Sequence, residues 1–396
     1  MGAFQNAIYF AIFLGVLVTV HEAGHFFAAR AVGMTPRKFY IGFGPAIAKT
    51  TRGGVEYGIG SIPLGGYVKI PGMNRPSPGD LGKLLPPADA EQHMDELQAI
   101  DEAIERGDYD HAHDLILQLR PALGETRAWQ ELEGSLARDA YWRAATWRRL
   151  TAIFAGPAVN LVFAILLFTA LFLVSVTRET NVIGKVSPGT PAAAAHVQVG
   201  DRVLAVAGQR VAPKEIPAHI RATEGRPFKL LLDRHGRRVV VPLQAKQVQG
   251  AYRIGIAIEA REGPGESLPA SALDAVQLTW RITADTVRGI GHLATGRDTS
   301  QVSSSYGIVK ASAAAWRAGL RTFLFVLGLI SLALGLLNLL PVLPLDGGHI
   351  VMALVERVRG RTFPQSVYIR YSVVGLTLFA VLMYFGLRND IFGPGG

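Results

Sequence analysis

Charged residues leave four long gaps along the chain. None precedes Glu22, 28 residues separate Arg149 from Arg178, 24 separate Arg321 from Asp346, and 17 separate Arg370 from Arg388. A helix crosses a bilayer core with roughly 17 to 25 apolar residues, so each gap predicts a membrane span. The first gap lacks the positively charged start of a signal peptide, and its hydrophobic run continues to Ala29, which predicts a retained helix.

Between the spans the pattern changes period. From 39 to 70 glycines alternate with β-formers, as in Tyr57-Gly58-Ile59-Gly60 and Gly65-Gly66-Tyr67-Val68, which predicts short strands and a tight hairpin. After the Pro-rich stretch Pro71 to Pro87, Leu97, Ile100 and Ile104 and then Leu115, Ile116 and Leu119 recur at helical spacing, with a turn at Arg106-Gly107-Asp108. A small helical insert is the expectation, with a solvated acidic linker as the alternative. Short strands are predicted at Asn181 to Val186, Arg202 to Val206, Phe228 to Leu232, Val239 to Leu243 and Arg253 to Ile258. From 268 to 318, Leu273, Val276, Trp280, Ile282 and Val287 suggest amphipathic helices lying on the outer membrane surface.

Composition agrees with a membrane and globular mixture: 49% of residues are hydrophobic and only 18% charged, against about 25% in ordinary soluble domains. The net charge is +9, yet residues 73–140 hold 15 acidic against 6 basic residues, so the membrane part is the basic one. Arg30, Arg37 and Lys38, then Arg143, Arg148 and Arg149, then Arg357, Arg359, Arg361 and Arg370 flank the gaps on what the positive-inside rule makes the cytoplasmic side. Arg178, Arg317 and Arg321 fall on the other side, where a long translocated domain weighs little. The basic residues hug membrane boundaries instead of forming one aromatic-laced patch, which argues against nucleic-acid binding. There is no cysteine, so disulfides, thiolate metal sites and cysteine nucleophiles are excluded.

Inside the first gap stands His21-Glu22-Ala23-Gly24-His25. On a helix the two histidines share a face and can hold one Zn²⁺, with Glu22 beside them as general base. Ionisable groups within hydrocarbon are costly and usually functional. A third ligand is wanted, and Asp346, in Asn338-Leu339-Leu340-Pro341-Val342-Leu343-Pro344-Leu345-Asp346-Gly347-Gly348-His349, is the candidate. Pro341 and Pro344 bend or unwind the helix there, and the glycines permit close backbone. His349 is a weaker rival ligand. His111 and His113, two apart, would face different sides of a helix and do not suggest a metal site. A metal transporter and a noncatalytic scaffold are the alternatives to a hydrolase at this point.

These residues, with GFGP at 42–45, IPLGGYVK at 62–69, GPAVN at 156–160 and NLLPVLPLDGG at 338–348, resemble the site-2 proteases. These are intramembrane zinc metalloproteases, and the similarity is to the bacterial PDZ-bearing branch that degrades anti-sigma factors. The resemblance implies a zinc metalloendopeptidase in the bacterial inner membrane, with its active site towards the cytoplasm. It implies that His21, His25 and Asp346 bind zinc and that Glu22 activates water. It also implies that Asn338 and the hairpin residues Gly65, Gly66 and Tyr67 hold a substrate strand. The run from Ile183 to Leu204 resembles a PDZ domain, which would bind a peptide or screen out bulky substrates. The family often carries a Gly-Pro-Ile-Gly-like turn before the third span, where this chain has Ser305-Tyr306-Gly307-Ile308.

The expected fold is a polytopic α-helical membrane protein with four transmembrane helices, a membrane re-entrant β-hairpin, one extracytoplasmic PDZ (α/β) domain and a cytoplasmic helical insert. Its expected parts are 1–72 (first span and hairpin), 73–140 (acidic insert), 141–177 (second span), 178–262 (PDZ), 263–318 (amphipathic helices), 319–348 (third span) and 349–396 (loop and fourth span). The expected partners are a single-pass membrane protein such as an anti-sigma factor, the lipid bilayer and a PDZ ligand.

Overall fold

The computed structural model describes residues 3–80, 82, 85–123, 127–248, 251–294, 315–316 and 318–392. It divides into two compact units, Met1–Thr169 with Ala272–Gly396, and Ala170–Ser271. The chain opens with α1 (Ala3–Ala31), a single helix that runs through the histidine motif. Two long strands follow, β1 (Lys38–Arg52) and β2 (Val55–Lys69), whose pairing carries register shifts and whose Gly42, Gly44 and Gly65 have positive φ. Lys38 to Ile41 pair with Glu56 to Ile59 on one side and with Gly66 to Lys69 on the other. Gly66 to Lys69 therefore form an outer strand of this sheet, with no further strand beside them among the described residues.

Residues 87–136 form α2 (Pro87–Gln92), α3 (Met94–Glu105), α4 (Tyr109–Leu123) and α5 (Arg127–Leu136). Leu97, Ile100, Ile104, Ile116, Leu119 and Trp129 bury against one another, so the insert has its own core and is a folded module, not a solvated linker. It is tied to the hairpin by Arg37, which donates to both carboxylate oxygens of Asp139 at 2.9 and 3.0 Å. A second tie is Lys69 Nζ to Glu131 at 2.6 Å.

Helix α6 (Thr146–Val174) leads into the second unit. There β3 (Ser175–Val186), α7 (Pro191–Ala194), β4 (Arg202–Val206), β5 (Gln209–Arg210), α8 (Ile216–Ala222), β6 (Pro227–Arg234), β7 (Arg237–Gln244), β8 (Lys246–Val248), β9 (Ala251–Arg253) and β10 (Ile256–Pro264) follow in order. The main sheet runs β10-β3-β4-β6-β7, with β5 on β4. Ile183, Val203, Val206, Ile216, Leu230 and Leu232 fill its core. Asp201, buried just before β4, accepts two hydrogen bonds of 2.7 Å from the Arg234 guanidinium and one of 2.9 Å from the Gln198 amide. Burial pushes the Asp201 carboxyl up, but those bonds outweigh it and hold the group below its usual range.

Helix α9 (Leu268–Ala294) carries Leu273, Val276, Trp280 and Val287 exposed, the predicted apolar stripe on one continuous helix. The Ser305-Tyr306-Gly307-Ile308 stretch lies outside the described residues. Helices α10 (Leu320–Asn338), α11 (Asp346–Arg359) and α12 (Gln365–Phe392) complete the chain.

Among the described residues, α6 and α10 are long and apolar enough to cross a membrane. Helices α1 and α12, of 29 and 28 residues, have spanning length at about 1.5 Å per residue. The third apolar run is not one helix to its end. Pro341 and Pro344 lack amide hydrogens, so α10 stops at Asn338 and Asp346 starts a separate helix.

Candidate metal centre

Helix α1 puts His21 and His25 one turn apart on one face, and both are buried. The broken segment after α10 returns Asp346 to that face. Gly347 and Gly348 make the return possible, because a Cβ on either would fall 2.2 Å from Leu340 O or 2.5 Å from Leu343 N. The three ligand atoms form a near-equilateral triangle: His21 Nε2 to His25 Nε2 is 3.2 Å, His21 Nε2 to Asp346 Oδ2 is 3.1 Å, and His25 Nε2 to Asp346 Oδ2 is 3.3 Å. Bonds of about 2.0 to 2.1 Å at tetrahedral angles put ligand atoms about 3.3 Å apart, so this donor set fits zinc and leaves one corner open. His349 lines the same cavity but lies outside this set.

The imidazoles are held by their other nitrogens. His25 Nδ1 lies 2.9 Å from the Ala152 carbonyl, which can only accept, so Nδ1 carries the proton and Nε2 is free for metal. Asn160 faces His21 Nδ1 at 3.3 Å through its amide, and its Oδ1 is buried without a partner. Turning that amide over places Oδ1 against Nδ1–H, which satisfies the orphaned oxygen and frees Nε2 in the same way. Helix α6 reaches this position because α1 and α6 touch at glycines. A Cβ on Gly24 would lie 2.6 Å from Ala155 O, and one on Gly156 would lie 2.2 Å from His25 Nε2. Asn160 is anchored in turn by Ser331 Oγ, which donates to its carbonyl at 2.9 Å.

Glu22 lines the same cavity, and its Oε2 accepts from the Val68 amide at 2.9 Å. The Lys69 carbonyl accepts from Arg37 N inside the sheet, so alternation along the strand turns the backbone groups of Val68 and Gly66 outward, to the open edge. The edge thus ends beside the metal ligands.

The cavity measures about 910 Å³ and also admits Asn338, Tyr67 and, from the insert, Gln130, Glu131 and Ser135. Gly65 and Gly66 are not on its lining. Gly65 has a φ of +112° and a Cβ there would meet the Phe43 ring at 2.6 Å, so the hairpin's own packing requires it. The Tyr67 ring stacks on Tyr40 at 5.1 Å.

Gly156 and Asn160 are the residues whose function the sequence did not disclose. Their signal was available: a glycine and an amide four apart, hence on one helix face, within a charge-free span.

The sequence profile of the family described as "Peptidase family M50" matches residues 9–382. The zinc metalloprotease RasP of Geobacillus kaustophilus is 28% identical over 415 residues, covering 98% of each chain. "Probable protease eep" of Enterococcus faecalis is 28% identical over 427 residues, covering 98% of this chain and 99% of its own. The metalloprotease MmpA of Caulobacter vibrioides is 29% identical over 408 residues, with 96% and 93% covered.

Proposed function

Since the chain belongs to peptidase family M50 and is a zinc metalloprotease, we propose that it hydrolyses peptide bonds inside membrane-spanning segments of other proteins. The observation that carries this reading is the triangle of His21, His25 and Asp346 beside Glu22 and an open strand edge. Zinc, when bound, polarises the scissile carbonyl and acidifies water. Glu22 accepts the proton of the attacking water at a carboxylate oxygen and delivers it to the leaving amine nitrogen.

A helical peptide bond is shielded by its own hydrogen bonds. A segment that unwinds exposes its carbonyl, and its backbone must then be satisfied elsewhere. The outward groups of Gly66 and the Val68 carbonyl offer that pairing to an added strand, and the Val68 amide, which donates to Glu22, brings the edge beside the base. Asn338, on the same cavity wall, is placed to hold the strand from the other side.

In this reading four helices, α1, α6, α10 and α12, span the bacterial inner membrane, with the insert and the cavity mouth towards the cytoplasm. The Ala170–Ser271 unit acts outside as a PDZ domain that binds a peptide or excludes bulky substrates. The substrate is a single-pass membrane protein, of which a trimmed anti-sigma factor is the leading candidate. Family membership removes the reasons for a transporter or a scaffold.

The test is Glu22→Gln in the full chain with a membrane-embedded reporter. Zinc content should stay at the wild-type level while cleavage falls at least about a hundredfold. Wild-type cleavage by that variant overturns the assignment.

A further inference from the structure

A second cavity, of about 670 Å³, lies between the start of α6 and the turn joining α11 to α12. Arg149, Arg357, Arg361, Trp142, Trp147 and Thr362 are on its wall. Its charge is unbalanced. The one carboxylate there, Glu356, is already engaged: it accepts from Arg149 Nη2 at 2.6 Å, the Phe363 amide at 2.7 Å and the Tyr368 hydroxyl at 3.1 Å. Arg357 and Arg361 are exposed and make no ion pair among the described residues. Arg149 is only 4% exposed, and its Nε–H has no hydrogen-bond acceptor. The wall also includes Thr146 and Trp147, the first residues of a 29-residue helix, whose leading amides have no helical partners. The guanidinium groups of Arg357 and Arg361 and the first amides of α6 therefore border the cavity, while its one lining carboxylate, Glu356, is committed to Arg149, Phe363 and Tyr368.

We propose that this cavity binds the phosphodiester headgroup of an anionic phospholipid. Its volume suits such a group. The wall decides for lipid over free phosphate: Trp147 on it is 60% exposed, at the start of a helix apolar enough to cross a bilayer. Tryptophan and arginine at a helix end are what the headgroup layer favours, and basic pockets between membrane helices take lipid headgroups. The headgroup would pin α6 to the far end of α11, the same two helices that present Gly156, Asn160 and Asp346 to the metal centre. The inference rests on the membrane reading of α6 and is measured without proteolysis, so its failure leaves the protease reading untouched.

The full chain is placed in nanodiscs of phosphatidylcholine alone, of phosphatidylcholine with phosphatidylglycerol, and of phosphatidylcholine with inorganic phosphate in solution. Lipid retained after detergent extraction is read by native mass spectrometry, and stability by thermal unfolding. Phosphatidylglycerol should be retained and should raise the unfolding midpoint, while phosphate should do neither. In Arg357→Gln/Arg361→Gln, retention should weaken roughly thirtyfold, from about two surface cations' worth of attraction. Arg359→Gln/Arg370→Gln removes the same charge away from the cavity wall and should keep retention, Arg359 being stacked over Phe363 instead. The proposal falls if the wild type retains no phosphatidylglycerol, if the control pair weakens retention equally, or if phosphate alone gives the same stabilisation.

Discussion

Gly156→Ala separates helix propensity from site geometry, because the two predict opposite results. Alanine in place of an interior glycine favours a helix by about 1 kcal/mol, so α6 considered alone should gain stability. In the folded protein the added Cβ would sit 2.2 Å from His25 Nε2, 2.6 Å from Cε1 and 2.7 Å from Cδ2. Ordinary carbon contacts begin at about 3.5 Å, so the ring would have to retreat by about 1 Å. It cannot swing freely, since Nδ1 is held to the Ala152 carbonyl. Metal bonds tolerate displacements of about 0.2 Å, so a shift several times larger takes His25 out of the ligand set. Zinc affinity should then drop by more than the 10- to 100-fold that disturbing an outer partner costs. The assay is chelator competition with zinc measured per folded chain, beside a thermal melt that identifies any gross misfolding. Gly289→Ala is the control, because its Cβ would meet nothing within 4 Å. Wild-type zinc affinity in Gly156→Ala would refute the close crossing of α1 and α6.

Asn160→Ala removes the partner of His21 Nδ1 and should lower zinc affinity about 10- to 100-fold, read by the same competition, with Glu22→Gln as a background that leaves the metal in place. The Asp201–Arg234 pair makes stability of the Ala170–Ser271 unit depend on acid. Because the folded carboxyl is held below its unfolded value of about 3.9, its contribution is complete above that value and fades as pH falls through the lower folded one. Amide exchange of the β4 and β6 segments in the full chain should show this loss. Arg234→Ala should weaken the pH dependence and cost about 1 to 3 kcal/mol by leaving the buried Oδ1 of Asp201 without its donor, while Oδ2 keeps the Gln198 amide.

Although the strand expected from Arg253 to Ile258 is broken between β9 and β10 at Ile254-Gly255, the hydrophobic pattern alone located the long helices, the helices of the insert and the strands β3, β4, β6 and β7. These follow from local periodicity and from where charge and proline fall, properties of neighbours along the chain. Likewise the pairing of His21 with His25 is a property of helical spacing. Which distant groups complete the site was a matter of tertiary packing. Asp346 converges on the histidines because the chain unwinds between Asn338 and Asp346 and turns back over two glycines, and Asn160 reaches His21 across 139 positions because Gly24 and Gly156 let two helices touch. The hairpin shows the same division. Its glycines mark strands and turns, but only the paired registers of Lys38 to Ile41 show that Gly66 to Lys69 is the open edge and that Gly65 and Gly66 serve the packing of the sheet. Periodicity reports which face of an element is apolar. What that face meets depends on how closely two backbones approach, and that distance is set by the whole fold.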